Sequence, residues 1–244
     1  MLELNNVSKR YDNGGDALEV LRDISLRIEP GQTVSVVGPS GSGKSTLLNL
    51  IGGLDRPTGG TITLDGQNLE TLSDKELARV RNRKIGFVFQ LHHLLPQCTT
   101  LENVLLPTLA AELSGQERKD FGRRGESLLE AVGLADKRDA FPGQLSGGQR
   151  QRVAFVRALI LKPRLVLADE PTGSLDADAA AQTADLLIRL NQLEGTTLIV
   201  ATHAAKLAGR MQRRFRLDHL RLTEIISRKG KMKPESTKCF WEDC

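Results

Sequence analysis

Cysteine, tryptophan and tyrosine are scarce in this chain, with three, one and one among 244 residues. Cys98, Cys239 and Cys244 fit neither a disulfide framework nor a metal spacing, because CFWEDC offers no second ligand pair. Reduced thiols are expected. Long apolar runs are also missing: the longest are VAFV at 153–156, ALIL at 158–161, LVLA at 165–168 and LIVA at 198–201. A membrane-spanning helix needs roughly 20 such residues, so a transmembrane segment is excluded. The opening MLELNNVSKRY carries Glu3 and has no apolar core of a secretory signal, which leads to the expectation of a cytoplasmic chain. There is no internal repeat and no low-complexity block.

The composition that remains is globular. Apolar residues make up 39% of the chain, glycines number 23, and charged residues stand at 26%, which excludes disorder as the general state. A chain of this length buries roughly 70 to 75% of its unfolded surface and can build its own core. Lys and Arg exceed Asp and Glu by 34 to 30. Arg228, Lys229, Lys231, Lys233 and Lys238 concentrate that excess near the carboxyl end, so residues 227–244 read as a basic, solvated tail.

Short apolar segments alternate with glycine-rich turns and helical patterns, the rhythm of an α/β fold with a largely parallel sheet. LRDISLRIEPGQTVSVVG reads as two strands joined at Glu29-Pro30-Gly31, the second entering a glycine-rich loop, and TITLDG at 61–66 as another strand. Leu128, Leu129 and Val132 lie at helical spacing in the charged stretch from Ser114, with Gly133 as its end, and predict an inserted helical subdomain at about 91–160. Val153, Val156 and Ile160 share one face of a helix that Pro163 stops. RLVLADE and TTLIVATH read as buried strands. Between them, Asp176 and Asp178 lead a helix expected to turn Ala181, Ala184 and Ile188 inward, with Gly195 as its cap.

The chemistry begins at Gly38-Pro39-Ser40-Gly41-Ser42-Gly43-Lys44-Ser45, which matches G-x-x-x-x-G-K-[ST] between the strand TVSVV and the helix TLLNLIGGL. Glycines let successive N–H groups face phosphate oxygens, Lys44 reaches the β/γ-phosphates and Ser45 ligates Mg²⁺. At the end of the buried strand LVLAD, Asp169 can hold the same ion, and Glu170 can polarise a water for in-line attack on the γ-phosphate. Leu145-Ser146-Gly147-Gly148-Gln149 is a second nest of donors at a helix start, with Ser146 as N-cap, but it lacks a preceding strand and a lysine.

Tyr11, Gly38 to Ser45, Gln90, Leu145 to Gln149, Leu167 to Glu170, Ser174-Leu175-Asp176 and His203 stand in the order found in one family. The chain to about residue 226 resembles the nucleotide-binding subunit of ATP-binding cassette (ABC) transporters. That resemblance implies a P-loop NTPase (RecA-like) core with an antiparallel β subdomain and an inserted α-helical subdomain. It implies that Tyr11 stacks on adenine, that the loop from Gly38 through Thr46 holds ATP, and that Gln90 senses Mg²⁺ and the γ-phosphate, which His203 contacts. It further implies a head-to-tail homodimer. Ser146, Gly147, Gly148 and Gln149 of one chain would close over ATP held by Lys44 of the other, with Asp176 near the dimer axis.

A narrower likeness rests on GGLDRP at 52–57 and GFVFQLHHLLPQCTTLENVLLPTL at 86–109. Both resemble the lipoprotein-releasing (LolD-type) ATPases, in which the stretch matched by His92, His93, Leu94, Leu95 and Pro96 touches the cytoplasmic coupling helix of an integral membrane permease. This implies a peripheral subunit at the cytoplasmic face of the inner membrane. Macrolide-exporter (MacB-type) and cell-division (FtsE-type) ATPases share much of the remainder. The MacB-type drug or peptide exporter is the alternative within the class. An ABC protein acting on nucleic acid is the alternative outside it, disfavoured because only 55 positions separate Gln90 from Leu145, too few for a long coiled coil. Two departures stand out. Ala204-Ala205 follows His203 where the family often has an acidic residue, and Asp218-His219 replaces a common Asp-Gly turn, although His tolerates positive φ less well than Gly.

Overall fold

The computed structural model describes residues 1–12, 14, 17–173 and 175–225. The basic tail, Cys239, Cys244 and Ser174 lie outside the described residues. The nearly unbroken apolar strands become the interior of a six-stranded sheet, because only a strand covered on both faces can bury consecutive side chains. β3 (Thr33–Val37), β7 (Leu165–Asp169) and β8 (Thr197–Ala201) run parallel at its centre. β6 (Ile85–Val88) forms one edge, and the antiparallel hairpin of β9 (Arg213–Asp218) and β10 (Arg221–Glu224) forms the other. The order is β10-β9-β3-β8-β7-β6.

Alternation within these strands divides the interior in two. Leu165, Leu167, Ile199 and Ala201 face one core, and Val166, Ala168, Leu198 and Val200 face the other. The first core is closed by α1 (Lys44–Ile51) and by a four-stranded antiparallel sheet, β2-β1-β4-β5, built from β1 (Leu2–Asp12), β2 (Ala17–Ile28), β4 (Gly59–Leu64) and β5 (Gln67–Asn68). The two strands flanking Glu29-Pro30-Gly31 do not pair. β2 belongs to the antiparallel sheet and β3 to the parallel one, and Gly31 at φ 75° turns the chain between them.

The second core lies under the helices. α2 (Asp74–Lys84), whose Leu77 and Val80 pack in the first core, precedes β6, and the insertion between β6 and β7 that covers the second core contains α3 (Thr100–Leu109), α4 (Gly115–Ala131) and α5 (Gly147–Leu159). α4 ends as expected, with Gly133 at φ 70° just beyond Val132. α6 (Ala177–Glu194) starts on Asp176, whose Oδ1 accepts from the Ala179 N–H at 2.8 Å, and ends on Gly195 at φ 63°. Its inward stripe differs from expectation. Thr183, Ala184, Leu187, Leu190 and Asn191 are buried, Ile188 is half-buried and Ala181 is exposed. At roughly 100° per residue Ala181 lies about 120° round the helix from Leu187, the middle of the stripe. The short α7 (Ala205–Ala208) completes the set. No helix among the described residues is long and apolar enough to cross a membrane.

The Asp218-His219 departure has a structural cost. His219 and Leu220, the two central residues of the β9–β10 turn, sit at φ 46° and 65°, the left-handed pair of a type I′ hairpin. The Arg22 N–H bonds the Leu220 carbonyl at 2.8 Å, which ties this turn to β2. Replacing His219-Leu220 with Asn-Gly should therefore raise unfolding free energy by about 1 kcal/mol, read as a higher urea midpoint at unchanged slope.

Candidate nucleotide site

At the carboxyl end of β3 the backbone must turn without side chains in its way. A Cβ at Gly38 would fall 2.2 Å from the Leu217 carbonyl of β9, and Gly43 holds φ 97° as it leads into α1. Helices α2 to α5 each carry a capping box, and α6 has its aspartate; α1 has no side-chain cap. Its first-turn N–H groups are left for a ligand, and the helix dipole favours an anion there. Lys44 is 8% exposed, and its ammonium donates to the Gly38 and Pro39 carbonyls at 3.0 and 2.9 Å. The Ser42 hydroxyl is buried without a partner.

Strand pairing brings the acidic groups to this loop. Asp169 ends β7 beside β3's neighbour β8, and its buried Oδ1 also lacks a partner. Burial pushes the Asp169 carboxyl above the usual carboxylate range, and the Ser45 hydroxyl bound to it opposes that shift. Glu170 follows at φ 44°, a left-handed conformation that costs roughly 1 to 3 kcal/mol and is held by its N–H bond to Ala201 at 2.8 Å. Its Oε2 accepts from the Thr202 hydroxyl at 3.1 Å, and its Oε1 lies 2.9 Å from His203 Nδ1. Glu170 is thereby aimed by groups from β8 and the turn after it.

These residues share one cavity of about 390 Å³, lined by Ser40, Gly41, Gly43, Lys44, Ser45, Thr46, Gln90, Asp169, Glu170, His203 and Val20. Val20 comes from β2 and escaped the sequence reading, since an aliphatic residue in an alternating strand carries no chemical signal. Tyr11 stands apart from the lining. Its hydroxyl donates to Asp55 at 2.8 Å, and the Lys9 ammonium lies 4.7 Å from its ring centre. Burial raises the Tyr11 phenol pKa first, Asp55 adds to that, and Thr46 opposes it.

The remaining candidates fall into two other places. Ser146 caps α5, with its hydroxyl accepting from Gln149 N–H at 3.2 Å and the Gln149 side chain accepting from Ser146 N–H at 2.8 Å. Gly147 and Gly148 pack beside Leu175 and Ala179, next to Asp176. None of these lines the Lys44 cavity. His92 to Pro96 lie beside a separate groove of about 530 Å³, with apolar walls that include Leu54, Phe87, Phe89, Leu106 and Leu161. His93 alone of that stretch lines it; Leu94 packs against the helical core and Leu95 is exposed.

Comparison with known proteins agrees with this arrangement. The ABC transporter family profile matches residues 21–173. "Lipoprotein-releasing system ATP-binding protein LolD 1" of Rhodopirellula baltica is 46% identical over 89% of this chain and 93% of its own length. "Lipoprotein-releasing system ATP-binding protein LolD" of Syntrophus aciditrophicus is 45% identical over 87% and 94%. Among solved structures, the dimeric post-hydrolysis state of the ATP-binding cassette MJ0796 bound to ADP and Pi superposes with a TM-score of 0.82 at 40% identity, covering 93% of this chain and all of that one. A dimeric structure of MJ0796, described as a bacterial ABC transporter cassette, matches equally well. An open helix N-terminus with a buried lysine, a partnerless aspartate and a glutamate aimed by histidine thus belong to an ABC transporter ATP-binding cassette, an ATPase, and this chain is a member of that family.

Proposed function

We propose that two copies of this chain close head to tail around two MgATP and drive a membrane complex that releases lipoproteins from the inner membrane. One observation carries the shared-site reading. Ser146 to Gln149 form a capped turn outside the cavity of Lys44, Asp169 and Glu170, so these donors have no phosphate to serve within their own chain. Both dimeric MJ0796 structures support it. The partnerless Asp169 Oδ1 and the Ser45 hydroxyl beside it fit a hard divalent cation, with Gln90 on the cavity wall. Asp169, Ser45 and Gln90 would hold Mg²⁺, which would supply positive charge to offset the negative charge developing on the transferred phosphate.

In this reading the α1 amides and Lys44 bind the phosphates and orient the γ-phosphate. Glu170, held by Thr202 and His203, takes the proton of the attacking water. His203, exposed on the cavity rim, contacts the γ-phosphate. Free energy reaches the membrane because ATP favours the closed dimer and hydrolysis removes that preference. Lipoprotein as the cargo rests on the two lipoprotein-releasing relatives, and a peripheral place at the cytoplasmic face follows from the same kinship. The groove beside His93 suits a short apolar helix from a permease.

The shared site is tested by mixing. In a Glu170→Gln background, Ser146→Arg and Lys44→Ala chains should dimerise with ATP and Mg²⁺ only with each other, since one site of the mixed dimer is intact; equal yields of all three dimers on size exclusion would refute the reading. Glu170→Gln by itself should slow turnover by roughly 10²- to 10⁴-fold while ATP stays bound, measured by phosphate release and nucleotide retention. For the groove, Leu54→Glu changes a residue 48% exposed on the wall. It should abolish co-purification with the membrane subunits and leave ATP binding and thermal unfolding unchanged.

A further inference from the structure

The segment after Gln90 is held at more points than an ordinary surface loop. Arg157, near the end of α5 and on the groove wall, donates from one guanidinium nitrogen to the His93 carbonyl and from the other to the His92 carbonyl, both at 2.7 Å. Arginine suits this place because its fixed fork meets two acceptors at once. Burial lowers the Arg157 pKa, and no carboxylate contributes to it. The His92 ring is half-buried near Gly147 of the Ser146 turn and Arg150, and its buried Nε2 has no partner. Further along, the buried Asn103 of α3 accepts from the Leu95 N–H at 2.7 Å and donates to the Leu95, Cys98 and Thr99 carbonyls. The segment is therefore riveted to the helical insertion at both ends. On the groove side His93 meets Phe89 edge-on at 5.3 Å, and Phe89 stacks on Phe87.

α5 is the common member. Ser146 caps its start, and Arg157 lies eleven positions on, about 16 Å along a helix rising 1.5 Å per residue. We infer that Arg157 is a positioning residue that locks the groove wall to α5, so that a helix seated in the groove and the Ser146 turn move as one body. This rests on the shared-site reading. A partner pushing on His93 then displaces the donors that close over the other chain's ATP without touching nucleotide, and closure on ATP stiffens the groove wall in return.

Hydrogen exchange on the Glu170→Gln protein, with and without ATP and Mg²⁺, reads this coupling directly. The parent should show slower exchange on dimer formation both at residues 145–150 and at 91–97, which lie away from the nucleotide. Arg157→Met should keep its ATP-dependent dimer and the slowing at 145–150 while losing the slowing at 91–97. Arg157→Lys, which preserves stem and charge without the fork, should recover only part of it and safeguards against a folding defect, checked by thermal unfolding. An unchanged response at 91–97 in Arg157→Met, or a dimeric parent whose 91–97 exchange ignores ATP, would overturn the relay alone. A parent that forms no dimer with ATP would overturn the shared-site reading and the relay with it.

Discussion

The amino end of α1 is the constraint around which the molecule is arranged. A helix leaves its first N–H groups unpaired, and burying them without acceptors is costly. Serine, threonine or aspartate solves this for α2 to α6. For α1 the chain supplies glycine, and the donors face a cavity. An anion of phosphate geometry completes the hydrogen bonding that the protein leaves open, which is why nucleotide binding and local stability are one problem here. Lys44, whose ammonium donates to the Gly38 and Pro39 carbonyls, adds a further donor and a positive charge to the same opening.

The parallel sheet converts that opening into a catalytic arrangement. Register pairs Asp169 with Ala201 across β7 and β8, and β8 pairs with β3, so three strand ends deliver the phosphate loop, the two acids and His203 to one edge. Ligands of open α/β sheets gather at that carboxyl edge for this geometric reason. The strain at Glu170 is concentrated where the chain leaves the sheet; its N–H bonds the Ala201 carbonyl, and Thr202 and His203 hold its carboxylate in place.

The helical insertion adds a second scale. It shares its core with the far face of the same sheet, so α5 is packed firmly while its Ser146 end is presented away from the cavity. Arg157 and Asn103 then fasten the segment after Gln90 to that insertion. The groove wall at Arg157 and the Ser146 turn thereby lie on one helix, α5.

Local chemistry was enough to read the phosphate loop, the Asp169-Glu170 pair, the Ser146 cap and the helix ends at Gly133 and Gly195, because glycine conformation, capping and charge act within a few residues. Short, nearly unbroken apolar runs likewise marked the buried strands. What that reading lacked was set by contacts distant in the chain. The split of β2 and β3 into different sheets, the inward face of α6, the place of Val20, and the groove walls at Leu54, Phe89, Leu106 and Leu161 depend on packing between elements far apart in sequence. The Arg157 clamp is of that kind as well. Backbone carbonyls are its acceptors, and every residue has one, so only the tertiary structure could decide that those of His92 and His93 would be the ones.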